Sequence, residues 1–167
     1  MFRIQTLTKL YELKPDGGKV MIDIYFARML SRNEIVSSTS KVFPVNAEHI
    51  EVITNTESWD SVSKKGTQLL WLIYPKMQGD FPMRVEIVPL IDRLVYRDNE
   101  IVQIIGNLCG VLNCSALANH GLHSGNPYIW LYIGGQKDYQ KIAIDLSKLD
   151  TEDELKIVGY YEKCIFD

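Results

Sequence analysis

No stretch of this sequence approaches the roughly eighteen consecutive apolar residues that a membrane-spanning helix needs, so no helical span and no membrane partner are expected. The opening MFRIQTLTKLYELK is charged and alternating. It has no apolar core and no small-residue cleavage site, and no signal peptide is expected. Cysteine is scarce and odd in number, at Cys109, Cys114 and Cys164. Disulfide frameworks use even sets, so free thiols and a cytoplasmic location are expected. Basic charge is not in excess: 18 Lys and Arg stand against 21 Asp and Glu, a net charge of −3. General nucleic-acid binding needs a basic surface for the phosphates and is not expected. The phosphate loop GxxxxGKS/T, a GxGxxG turn after a strand, the GxSxG elbow and the HExxH zinc helix are all missing. Their absence removes the commonest templates for nucleotide, acyl-transfer and zinc chemistry, and no cofactor is expected.

What is present is an ordinary globular composition, 46% hydrophobic and 23% charged, over 167 residues. That length can bury a core without metals or crosslinks and fits a single domain over residues 1–167. The first third reads as strands. Val20, Ile22, Ile24 and Phe26 alternate with Met21, Asp23 and Tyr25, the period of a half-buried strand. The turn signal LKPDGGK before them lets Ile4–Leu13 pair back as a hairpin. Glu34–Val45, rich in Ser, Thr and β-branched residues, is expected as a third strand, and His49–Thr54 as a short fourth. A polar loop over Asn55–Gly66 precedes TQLLWLIYPK, a strand apolar on both faces. Met83, Val85 and Ile87 then alternate with Arg84 and Glu86, a strand with one wet face.

The pattern changes at Asp98. Ile101, Ile104, Ile105, Leu108 and Leu112 follow helical spacing, with Asp98 as N-cap and a stop near Ala118, before Asn119 and Gly121. Tyr128–Ile133 against Lys141–Leu146 reads as a hairpin. LDTEDELKIVGYYEKC reads as a final helix opened by a Thr151-x-x-Glu154 capping box. The expectation is an α+β fold: a mostly antiparallel sheet of about six to eight strands with two helices, about 98–118 and 151–163.

The stretch CGVLNCSALANHGLH, from Cys109 to His123, holds two of the three cysteines and two of the three histidines. On one continuous helix, Cys109 and Cys114 lie roughly 140° apart, so a single zinc ion cannot collect both. Cys109 belongs with Ile105 and Leu112, as a small buried hydrophobe. Cys114, His120 and His123 remain as the narrower metal candidate, converging if the chain turns back at Gly121. A thiol nucleophile with its base is the other reading of the same residues. A cysteine late in a helix meets the negative dipole end, which disfavours thiolate. NCSAL followed by YIWLYIGG resembles the layout of NlpC-type cysteine peptidases, which implies a catalytic cysteine. No histidine opens the YIWLYIGG strand, so that activity is not carried over.

Tyr128, Trp130 and Tyr132 alternate, so a strand presents all three on one face and Ile129, Leu131 and Ile133 on the other. Such a face can stack a nucleotide-like ring, seat a partner side chain, or be covered by another element. From Asp138 onward eight acids stand against four lysines, a mild acidic bias. The expectation is a non-enzymatic binding protein of inhibitor, immunity, anti-defence or subunit type. It engages a protein partner or itself, with Tyr128, Trp130, Tyr132 and Trp59 as anchors. A small-ligand sensor on the aromatic face, or a hydrolase or metalloprotein at Cys114/His120/His123, are the alternatives.

Overall fold

Alternation does build the first strand. In the computed structural model, which describes residues 22–54, 66–119, 128–136 and 138–164, β1 (Ile22–Phe26) buries Ile22, Ile24 and Phe26 on one face. Tyr25 is buried on the other. The expected hairpin partner Ile4–Leu13, and the polar loop up to residue 65, lie outside the described residues.

The next segment corrects the sequence reading: Glu34–Val45 is largely helical, not a strand. Helix α1 (Arg32–Val42) starts at Ser31, whose hydroxyl accepts from the Glu34 amide at 3.2 Å. The Ser31 amide donates to Glu34 Oε2 at 2.8 Å. This reciprocal capping box satisfies two end groups that a strand reading overlooks. The hydroxyls of Ser38 and Thr39 donate back to the Ile35 carbonyl at 3.1 and 2.5 Å. Those bonds let both residues be buried, so a Ser/Thr run suits a helix packed against a sheet.

Two short strands follow as expected, β2 (Ile50–Thr54) and β3 (Leu69–Ile73), the second buried on both faces. Strand β4 (Met83–Pro89) places Met83, Val85 and Ile87 under the helices. Its other face is not wet: Glu86 is 4% exposed, another correction. The charges there are of opposite sign and offset one another. Arg84 reaches Asp23 at 3.1–3.2 Å and Glu86 at 3.5 Å, and its guanidinium lies 4.5 Å from the centre of the Tyr74 ring.

Helix α2 (Asp98–Leu112) buries Ile101, Val102, Ile105, Leu108 and Cys109. Its first turn is capped at Arg97, whose amide donates to Glu100 Oε2 at 2.7 Å, so Asp98 is the first helical residue rather than the cap. The helix ends at Leu112, not near Ala118. Asn113 takes the left-handed conformation (φ 48°, ψ 52°), and the Cys114 amide reaches back to the Cys109 carbonyl at 3.1 Å. Asparagine tolerates that conformation, so the stop falls nearly two turns earlier than Asn119 and Gly121 suggest. The small residues beyond form β5 (Ala116–Ala118), wholly buried.

The hairpin β6 (Ile129–Gly135) and β7 (Asp138–Ile144) pairs Ile129 with Ala143 and Ile133 with Tyr139, close to expectation. Helix α2 lies tight on it: a Cβ on Gly106 would stand 2.7 Å from the Tyr139 hydroxyl and 3.2 Å from the Gly135 carbonyl. The expected helix over 151–163 is overturned. Helix α3 (Leu146–Glu152) starts at Asp145, whose carboxylate accepts from the Ser147 amide at 3.0 Å. It ends at left-handed Asp153, and Thr151 lies in its last turn, donating to the Ser147 carbonyl at 2.6 Å. The β-branched and aromatic run after it becomes β8 (Ile157–Cys164), paired with β7.

The fold is α+β, with three α-helices and one eight-stranded sheet among the described residues, ordered β2-β3-β4-β1-β5-β6-β7-β8. Every neighbouring pair is antiparallel except β2 with β3. Helices α1 and α2 cover one face over the main core. On the other face, Met77 and Phe81 from the loop before β4 pack with Leu155 and Trp130, and α3 adds Leu146 and Leu149. No helix among the described residues is long and apolar enough to cross a membrane.

Candidate functional site

Cys109 and Cys114 are brought together, not separated. The turn at Asn113 carries Cys114 off the helix and back over the last turn of α2, and both thiols are free and buried. The expected separation of the two around one continuous helix is thus corrected. Its thiol donates to the Ser115 carbonyl at 3.3 Å. Burial, with the neighbouring Cys114, pushes the Cys109 thiol up to about 12, so it stays protonated and inert at neutral pH. His120 and His123 lie outside the described residues. Among those described, no three His, Cys, Asp or Glu side chains gather to hold a metal ion.

Trp130 and Tyr132 share one face of β6, and the three aromatic residues differ in exposure. Trp130 is 6% exposed, its ring 5.2 Å from that of Tyr25 and tilted by 53°. It packs with Met77, Phe81, Leu117, Ile142 and Leu155. Tyr132 is half-buried at the edge of that cluster. Tyr128, one residue before β6, is 55% exposed, and its carbonyl accepts from the Ile144 amide at 2.9 Å. Trp59 lies outside the described residues.

Sequence reasoning missed the surface two strands further out, because it took the segment for a helix. Among the described residues, strand β8 ends the sheet and is eight residues long. Val158, Tyr160 and Tyr161 are 59, 66 and 51% exposed. Tyr160 is opposite Ile142, which is opposite Trp130, so it continues the aromatic face outward past the point where the loop and α3 cover it. Two register shifts against β7 give β8 an extra residue between Ile157 and Gly159 and another between Tyr160 and Lys163. Such bulges bend an edge strand and increase its twist. The signal was available: Ile157, Val158, Tyr160 and Tyr161 are strand formers, and Gly159 weakens a helix.

The charge beside this edge is largely self-satisfied. Lys148 meets Glu152 at 2.8 Å, and that bond raises the lysine further. The Ser147 hydroxyl bond holds the Asp145 carboxyl below its usual range. What this end of the sheet offers is therefore apolar and aromatic side chains on a strand edge, with no gathered nucleophile, base or cation site among the described residues. Compared with known protein families, with curated proteins and with solved structures, the chain matches none.

Proposed function

We propose that this protein is a cytoplasmic, non-enzymatic interaction protein of one domain, which engages a protein partner at the β8 end of its sheet. One observation carries the reading: three of the exposed large hydrophobic residues fall within four consecutive positions of the strand that ends the sheet. An edge strand offers backbone donors and acceptors to an added strand, and aromatic side chains on it supply the anchoring area. Tyr128, exposed just before β6, is a further anchor. Neither membrane nor general nucleic-acid binding enters this reading.

The test is a V158T/Y160T/Y161T variant, which keeps strand propensity and removes the apolar surface. Native extract is passed over immobilised wild-type and variant protein, and light scattering follows each in solution. The expected outcome is that the variant keeps its circular dichroism and loses the complexes the wild type forms. A wild type that runs as free monomer and captures nothing would sink the reading.

A further inference from the structure

Two of the chain's three cysteines meet at the corner between α2 and β5. Asn113, left-handed, closes the helix with a pair of backbone bonds. Its own amide reaches the Gly110 carbonyl at 3.4 Å, and the Cys114 amide reaches the Cys109 carbonyl at 3.1 Å. In such a closure the residue after the left-handed one packs its side chain on the residue five positions back. Here both of those positions are cysteine.

The backbone bond between the two cysteines limits their Cα separation to at most about 7 Å, and any bend at the bond shortens it. A disulfide bridges Cα atoms roughly 4.4–6.8 Å apart. Both thiols are free and belong to the same core cluster.

The two sulfurs are not equivalent. Cys109 is 1% exposed, and burial first, then the neighbouring Cys114, hold its thiol protonated. Cys114 is the more open, at 8%, and stands beside a cation. The Arg28 guanidinium donates to the Leu112 carbonyl at 2.8 Å. Its charge is favoured chiefly by the bond to Glu34 and in smaller part by Cys114. An oxidant from solution therefore meets Cys114 first, and Cys109 meets only Cys114.

We propose that Cys109 and Cys114 are a reversible oxidation site, at which a hydroperoxide oxidises Cys114 and Cys109 then closes a disulfide. In the first step the Cys114 sulfur attacks one oxygen of hydrogen peroxide. The O–O bond breaks, and the other oxygen leaves as water with the thiol proton. Cys114 is then a sulfenic acid. In the second step the Cys109 sulfur attacks the Cys114 sulfur. The S–O bond breaks, and the hydroxyl leaves as water with the Cys109 proton. Two thiols and one peroxide become one disulfide and two waters. A thiol reductant reverses the bond by exchange. Closing the disulfide keeps Cys114 off the irreversible rungs of sulfinic and sulfonic acid. The site is independent of the β8 surface and stands or falls without it.

The tryptic peptide from Asp98 to Lys137 contains both cysteines and not Cys164, so the unaltered chain serves for the test. Native protein is exposed to hydrogen peroxide until glutathione in a parallel sample is fully oxidised. It is then denatured in excess iodoacetamide, digested and measured by mass spectrometry. The expected peptide is two hydrogens lighter than the dithiol and takes no alkyl group, and dithiothreitol restores both alkylation sites. In C109A the expected product is Cys114 sulfenic acid, trapped by dimedone. In C114A no dimedone is expected on Cys109. Circular dichroism checks that both variants are folded. A wild-type peptide that still takes two alkyl groups overturns the proposal. So does sulfinic or sulfonic acid at Cys114 in place of the disulfide, or a link from either cysteine to Cys164. Dimedone on Cys109 in C114A, with none on Cys114 in C109A, overturns the order of the two steps.

Discussion

The two ends of the sheet are finished in opposite ways. At one end, β2 is five residues long, and Ile50, Val52 and Ile53 are buried. Its Val52 carbonyl accepts from Arg32 at 2.9 Å, and a second guanidinium nitrogen of Arg32 meets Glu51 at 2.9 Å. Helix α1, which carries Arg32, thus guards this edge. At the other end β8 is eight residues long and turns Val158, Tyr160 and Tyr161 to solvent. Exposed edges invite pairing with other chains, and proteins blunt those they do not use. One end is blunted by the chain's own arginine, the other only by the two bulges that bend β8. Strand β8 keeps its aromatic side chains outside, which is the difference the proposed function rests on.

The largest effect expected from this contrast compares one substitution at each end. Ile53→Ala removes a buried side chain that packs with Leu70, Leu72 and Val88, and is expected to cost about 2–5 kcal/mol. Tyr160→Thr changes an exposed strand position to another strand former and is expected to cost no more than about 0.5 kcal/mol in the isolated chain. Urea unfolding of both variants at low protein concentration, where association does not contribute, measures the difference. Equal losses would mean that β8 is packed as β2 is, and the contrast would collapse.

Neither end was fully legible in the sequence. The alternation of residues 22–26 and 83–87 and the hairpin at 128–146 were legible because strand period depends on local sequence alone. Helix α1 was not, because its Ser/Thr-rich run favours strands by composition. Ser31 and Glu34 form a capping box, and the buried Ser38 and Thr39 return their hydroxyls to Ile35. Strand β8 was hidden for the converse reason. The acids ahead of it suggested a helix start, yet Asp145 had already opened α3, and β7 needed a partner that local sequence cannot announce. Trp130 was legible as one of three aromatics on a face, but its cover comes from Met77, Phe81 and Leu155, distant in sequence.

A middling effect is expected from removing the guard. Arg32→Ala removes one cation from Glu51, whose side chain is 14% exposed, and takes the guanidinium away from the Val52 carbonyl. Arg32 itself is 59% exposed, so solvent screens the pair and the loss is put at about 1 kcal/mol. The more telling readout is association. The variant exposes a second edge, and light scattering on warming is expected to show species larger than any the wild type forms. Arg32→Lys keeps the charge but not the fork, and is expected to fall between the two. An unchanged scattering profile for Arg32→Ala would show that the arginine does not protect this edge.

The smallest effect reaches the guard through the cap of its helix. The Ser31 backbone amide, then Arg28 at 2.9 Å and the Ser31 hydroxyl, lower the Glu34 carboxyl from 4.5 to about 2. A carboxyl lowered in the folded state adds stability that is fully present above its unfolded value and is lost as pH falls through the folded one. The window is therefore between about pH 4.5 and pH 2. Over that range Glu34 loses the charge that strengthens its bonds to the Ser31 amide and Arg28, which weakens the cap of α1 and the hold of Arg32 over β2. Hydrogen exchange across the window is expected to show α1 and β2 amides losing protection ahead of those of β6 and β7. In Glu34→Gln, which keeps an acceptor at the cap but cannot titrate, that early loss should disappear from the acid limb. If the variant and wild type open α1 in parallel as pH falls, the cap is not what couples acid to the guarded end.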